Sequence, residues 1–345
     1  MKTQVTYKPT NRRRTVVLQT ALFALSIGMS ALAGATSESG VSPQEPLDEA
    51  WWTGPIMAPN ASTLPQGHWL FEPYFYDVMT YGQYDRNGSL QSAPAAHDFG
   101  SQSYIEYGLV DRFTLGLIPR FGLHESSAGQ DASGATIGDT TVQGALGLTQ
   151  FRPGSWLPST SIVIGETFPT GKYDRLQGQT DGALGSGAYS TTVSFYSQTY
   201  FWMPNGRILR SRLDLSYQVY RWAQVHDLSV YGTADGFGGR ARPGPTFVAT
   251  LSFEYSISQQ WVLANDFDWE HDGNTRVAGG YQPTTTGGAP YLVQDSGADD
   301  LFYLAPAVEY NWSGRMGVIA GARIAVAGRN VGATVTPVFA INMVF

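Results

Sequence analysis

Apolar and polar residues alternate with a period of two through most of this chain. In ILRSRLDLSYQVY, Leu209, Leu213, Leu215, Tyr217 and Val219 share one face, while Arg210, Arg212, Asp214, Ser216 and Gln218 share the other. WVLANDFDWEH sets Trp261, Leu263, Phe267 and Trp269 against Asp266, Asp268 and Glu270; FVATLSFEYS and LFYLAPAVEYN repeat the arrangement, with Glu254 and Glu309 on their polar faces. Side chains two apart share one face of a strand, so this pattern predicts β-structure. It predicts strands at about 68–80, 100–109, 113–123, 139–151, 160–168, 189–201, 208–220, 245–256, 261–271, 300–311, 316–327 and 333–345. Two of them are irregular. TSIVIGETF is mostly apolar on both faces and puts Glu166 with Ile162 and Ile164, which a bulge or a place at the outer rim would explain. GVIAGARIAVAG is small and apolar throughout, with Arg323 as its only charge.

The connections separate two architectures that share this alternation. After the even-numbered strands the links are short: VDR, FRPGSWLP, WMPNGR, ISQQ and WSGR. After the odd-numbered ones they are long and rich in Gly, Ser, Thr and Asp, except for GRNVG at the last. A water-soluble sandwich has no reason to sort its loops by length. An even number of strands with turns at one end and long loops at the other is the layout of an outer-membrane barrel. The predicted fold is therefore all-β: a closed antiparallel transmembrane barrel of about 12 strands. The final strand, TPVFAINMVF, must then pair with the first, because an open edge in lipid leaves backbone groups unsatisfied. Phe339, Ile341, Met343 and Phe345 would face lipid, with Phe345 at the inner boundary, and this terminal set resembles the assembly signal of outer-membrane barrels.

Composition adds the compartment. MKTQVTYKPTNRRR carries five bases and no acid; an apolar run follows, and small residues then offer cleavage after Ala33 or Ala35. That is the form of a secretory signal peptide, so residues 1–35 are expected to be removed and the rest exported. No cysteine is present, which excludes disulfides, thiolate metal sites and a lipoprotein anchor. The 345 residues hold 28 acids and 21 bases; residues 1–35 take five bases and no acid, leaving 16 bases and a net charge of −12. Such a balance argues against nucleic-acid partners. Residues 36–67 show no alternation and are rich in Pro and small residues, which predicts an irregular periplasmic segment before a barrel over 68–345. Trp51 and Trp52 would either anchor that segment at the membrane interface or tuck it into the lumen.

Four stretches, Thr53–Asp77, Tyr104–Leu117, Ile137–Leu148 and Phe168–Arg175, resemble the bacterial outer-membrane transporter family of the meta-pathway of phenol degradation. The resemblance implies an outer-membrane barrel passing small hydrophobic or aromatic compounds passively. It implies as partners outer-membrane lipid, the barrel-assembly machinery and a small-molecule solute. It carries over no functional residues. Two other readings stand beside it: a non-transporting barrel for adhesion or envelope integrity, and a hydrolase at the rim.

With the apolar face outside, the inward charges are Glu72, Glu106, Arg120, Arg210, Arg212, Asp214, Glu254, Asp266, Asp268, Glu270, Glu309 and Arg323. Eight acids against four bases would make a water-filled lumen cation-selective. Alternatively they pair across a packed interior, with Arg120, Arg210 and Arg212 facing Asp266 and Asp268. No GxSxG or HExxH motif occurs. His271–Asp272 and His226–Asp227 read as solvated loop pairs, the five histidines are dispersed, and SGADD reads as a solvated acidic loop. No catalytic residue, cofactor or metal site is predicted.

Overall fold

The computed structural model describes residues 43–126, 135–176, 183–281 and 291–345. The predicted signal peptide and its cleavage sites lie outside the described residues. Among these residues twelve long strands form the barrel: β1 (Trp69–Tyr84), β2 (Ala96–Val110), β3 (Phe113–Ile118, continuing as Arg120–Ser126), β4 (Thr140–Thr149), β5 (Ser159–Phe168), β6 (Ser190–Trp202), β7 (Ile208–Tyr220), β8 (Thr246–Ser256), β9 (Trp261–Asp272), β10 (Asp299–Ser313), β11 (Met316–Arg329) and β12 (Val331–Val344). Each pairs antiparallel with its sequence neighbours. β12 returns to β1 in a register running from Leu70↔Val344 to Tyr84↔Val331. The seam is finished by reciprocal bonds, Trp69 N–H to Phe345 O at 3.1 Å and Phe345 N–H to Trp69 O at 2.9 Å. Closure satisfies every strand edge, which a wall in lipid requires.

The burial pattern is inside-out relative to a soluble protein. Arg210, Arg212, Asp214, Glu254, Asp266, Asp268 and Glu309 are buried, whereas Leu213, Leu251, Leu263, Phe267, Phe302 and Phe339 are each more than a third exposed. Only lipid makes such an exterior favourable. Aromatic rings mark its two boundaries. At the short-turn end Trp69 meets Tyr107 with centroids 4.6 Å apart and Trp261 meets Tyr310 at 4.7 Å. At the other end Phe168 packs on Tyr189, and Trp269 lies between Phe247 and Phe302. Trp261 and Trp269 are eight residues apart on β9, roughly 26 Å at about 3.3 Å per residue. With strands tilted by about 35–45°, that length spans roughly 20 Å of height, most of an apolar band about 25 Å tall. No helix among the described residues is long and apolar enough to cross a membrane.

The structure corrects several boundaries. β1 and β2 extend to Tyr84 and back to Ala96, so the link expected over 81–99 shrinks to 85–95. β3 is interrupted at Pro119, which cannot donate to a ladder. The long links after β7 and β9 are not simply loops: Ala223–His226, Phe237–Arg242, Arg276–Tyr281 and Tyr291–Asp295 form a four-stranded sheet, which prolongs the wall of β7–β10 past the aromatic boundary. Gly-rich FGGRAR and RVAGGY carry no alternation strong enough to reveal those strands. Glu166 points outward near the end of β5, where Thr191 Oγ1 donates to it at 2.6 Å and Arg221 lies at 3.6 Å. The rim explanation therefore holds, since the β5–β6 register passes this point without a bulge.

Candidate functional site in the barrel interior

An irregular segment, not a side-chain core, fills part of the lumen. Residues 43–67 enter at the short-turn end, where Glu45 receives Arg207 at 3.0 Å, Ser256 Oγ at 2.8 Å and the Trp202 indole N–H at 2.8 Å. Further in, the chain has no strand partner, so its backbone N–H groups need acceptors from the wall. Inward carboxylates supply them. Glu309 Oε2 accepts from Thr53 N–H at 2.7 Å and Gly54 N–H at 3.2 Å, and Asp266 Oδ2 accepts from Met57 N–H at 3.1 Å. Arg212 donates to Ala58 O at 2.7 Å, and Thr114 Oγ1 accepts from Leu64 N–H at 2.9 Å. Trp52 lies under the Arg210 guanidinium, 4.4 Å from its centroid, and against Tyr200. Two wall glycines make room for the segment. A Cβ on Gly108 would collide with Pro65 O, and one on Gly317 with the hydroxyl of Thr53.

The wall charges group by strand register. Arg210 and Glu254 are direct cross-strand partners on β7 and β8. Both Arg210 donors engage the Glu254 carboxylate, and Arg212 Nε lies 3.1 Å from it. Arg323 on β11 bridges Asp268 at 3.2 Å and Glu270 at 2.8 Å while its guanidinium lies 3.5 Å over the Tyr303 ring. Thr250 also donates to Asp268. The expected convergence of Arg120, Arg210 and Arg212 on Asp266 and Asp268 is thus not the arrangement found: Glu254 takes two of those arginines, Arg323 takes Asp268, and Asp266 serves the segment. Asp214 is buried beside this group, and neither of its carboxylate oxygens has a hydrogen-bond partner among the described residues.

Across the lumen, the faces of β1–β7 and residues 52–64 enclose a cavity of about 460 Å³. Glu72, Glu106, Arg120, Arg210 and Arg212 line it. Glu72 accepts from Asn342 at 3.1 Å and Glu106 from Gln143 at 3.2 Å. Most of the lining is uncharged: Tyr74, Tyr104 and Tyr196, Gln102 and Gln143, and a series of Ser and Thr hydroxyls. The cavity is lined from Gly314, Leu70 and Val344 near the inner rim to Gln218, Thr141 and Thr167 towards the outer one. Along β7 alone, Arg210 to Gln218 is roughly 26 Å at about 3.3 Å per residue. Sequence reasoning missed these tyrosines and amides because it followed charges only. Their signal was the same parity, since Tyr104 and Gln102 share the face of Glu106.

His226 and His271 stand away from this interior chemistry. His271 Nδ1 lies 2.8 Å from Asp300, not beside its neighbour Asp272, and His226 lies 3.3 Å from Asp174. Among the described residues no three His, Asp or Glu side chains are placed to hold a metal ion.

No family model and no curated protein matches the sequence. The resemblance to the phenol meta-pathway transporters therefore has no sequence-family match behind it, and the solved structures bear on the fold alone. The crystal structure of an outer-membrane channel from Pseudomonas putida F1 superposes with a TM-score of 0.64 at 16% identity, covering 84% of this chain and all of that one. The β domain of the Bordetella autotransporter Brka gives a TM-score of 0.43 at 11% identity over 81% of this chain and all of that one. The toluene transporter TbuX of Ralstonia pickettii gives 0.38 at 12% identity over 86% of this chain and 95% of that one. Of these three, only the Pseudomonas protein reaches the level of a shared fold.

Proposed function

We propose that this barrel is an outer-membrane channel through which small molecules cross passively, with compact aromatic compounds as its favoured solutes. One observation carries the reading: a single polar-lined cavity is bordered by residues of both rims of a closed barrel whose exterior is apolar. The shared fold with an outer-membrane channel is consistent with it. Size limits the solute. A cavity of about 150 Å³ holds benzene, so about 460 Å³ accommodates a substituted ring, while an oligosaccharide would have to displace the segment. Lining chemistry narrows the class further. Tyr74, Tyr104, Tyr196 and Trp52 offer ring faces and edges to an aromatic solute, and Gln102 and Gln143 offer donors and acceptors to its polar substituents. A plain aliphatic hydrocarbon would have to strip water from those groups without replacing it.

Flux into liposomes tests this with solutes that do not cross lipid unaided. Benzenesulfonate and benzyltrimethylammonium are expected to enter faster than non-aromatic ions of equal size, with raffinose excluded. Equal exclusion of all of them, or free entry of raffinose, would contradict the reading.

A further inference from the structure

The four-stranded sheet past the aromatic boundary has two unlike faces. Val225, Phe237, Ala241 and Val277 form its buried face, with Tyr231 and Tyr173 packed against them, and Ala223 is buried on the same side. Tyr231 lies close to Tyr220, which points into the lumen beside Glu270 and Asp272, so the buried face looks towards the barrel axis. The opposite face therefore looks away from the axis, over the surrounding membrane. It presents Trp222, Arg240, Arg242 and Arg276, all exposed, with exposed Arg221 beside them.

The arrangement of these cations is unusual. Arg240 and Arg242 both lie over the Trp222 ring, 4.5 and 5.3 Å from its centroid. Arg242 stands directly opposite Arg276 in the ladder, and like charges so opposed destabilise a sheet unless something neutralises them. Arg276 has Asp295 at 3.5 Å and Arg221 has Glu166 at 3.6 Å, but Arg240 and Arg242 have no ion pair among the described residues. This concentration of positive charge occurs on a chain with a net charge of −7. Its height matters as much as its sign. Val219 and Tyr217 are lipid-facing on the same strand, and the aromatic boundary formed by Phe168, Tyr189, Phe247 and Trp269 lies just below. Trp222 follows Val219 by three residues, roughly 10 Å along the chain at about 3.3 Å per residue, so the guanidinium groups of Arg240 and Arg242 gathered over its ring stand at the depth of lipid headgroups. Guanidinium groups bind phosphate through paired, charge-assisted bonds.

We infer that the Arg240–Trp222–Arg242 cluster, flanked by Arg221 and Arg276, binds the phosphate groups of an outer-leaflet lipid. The bound lipid fixes the depth and rotational setting of the β7–β10 side of the wall. The rings of Trp222 and the girdle contact its apolar part, while the arginines neutralise its headgroup.

Native mass spectrometry of the full chain, refolded in neutral detergent, tests the inference with diphosphorylated lipid A as the probe. Adducts of the diphosphorylated lipid are expected, with binding weakened about tenfold or more for the same lipid after phosphatase treatment. Arg240→Gln with Arg242→Gln is expected to cause a comparable loss while leaving heat-modifiability and pore conductance unchanged. Equal binding of the dephosphorylated lipid would overturn the inference even without any variant. So would undiminished binding by the folded double variant, or displacement of the lipid by an equal concentration of inorganic phosphate, which would mark a site for free anions.

Discussion

Glu254 shows why a buried charge in this wall is there at all. It is fully buried on β8 and neutralises Arg210 and Arg212 together. Removing one member of such a buried group leaves uncompensated charge, typically at a cost of about 3–5 kcal/mol. Glu254→Gln is expected to destabilise the refolded barrel by that order, read as a lower midpoint in denaturant titration followed by heat-modifiability. An unchanged midpoint would mean that the two arginines find water or another acceptor. Asp85, just past β1, acts locally instead. Its carboxylate accepts from the backbone N–H groups of Asn87 at 2.8 Å and Ser89 at 3.0 Å, and these bonds, Ser89's first, hold its pKa below the usual value. A depressed folded-state pKa stabilises the turn above the unfolded value of about 3.9 and loses that contribution as pH falls through the lower, folded one. Amide exchange at Asn87 and Ser89 is therefore expected to gain protection from Asp85 at neutral pH and to lose that contribution in strong acid; in Asp85→Asn the dependence should vanish. Little of this partnering was legible in the sequence. Parity assigns Glu254 and Asp266 to one side of the wall, but which cation or backbone N–H each meets depends on shear and on where residues 52–64 run.

The strands were the legible elements, because lipid on one side and polar contacts on the other enforce period two without interruption. β7 and β9 were placed to within a residue for that reason. The rim extensions were not, since they stand outside the apolar band and their glycines carry no pattern. Leu213 lies midway along β7 and is 42% exposed on the outer face. Leu213→Arg is expected to cost about 2–4 kcal/mol in lipid, as charge does near the midplane; the same substitution near the strand end, at Val219, should cost far less. Equal costs would place the bilayer elsewhere on the wall. The segment over 43–67 is the other element to test. Glu309→Ala combined with Asp266→Ala removes the acceptors of Thr53, Gly54 and Met57 N–H. Each buried donor left unsatisfied costs about 1–3 kcal/mol, so the segment is expected to loosen and protease cleavage within 53–60 to rise in the folded barrel.

For the whole molecule, the balance between filled and open lumen decides the function. Eight acids and four bases do not make a uniformly negative pore, because Glu254, Asp268, Glu270, Asp266 and Glu309 are already engaged by arginines or by the segment. What remains along the cavity is two carboxylates and three arginines, two of which share Glu254. The path is thus expected to be narrow and only weakly selective between small cations and anions. Ser194 projects into it from β6, where it accepts from Ser216 at 2.8 Å. A tryptophan there would obstruct the cavity without touching the Glu254 group.

The most direct measurement is single-channel conductance of the refolded, heat-modifiable barrel in a planar bilayer under a salt gradient, for the native chain and for Ser194→Trp. Small discrete steps with a reversal potential near zero are expected, and the substitution should lower their amplitude by roughly two- to tenfold. A silent bilayer containing correctly folded protein, or steps that ignore the tryptophan, would contradict the reading of the cavity as the path.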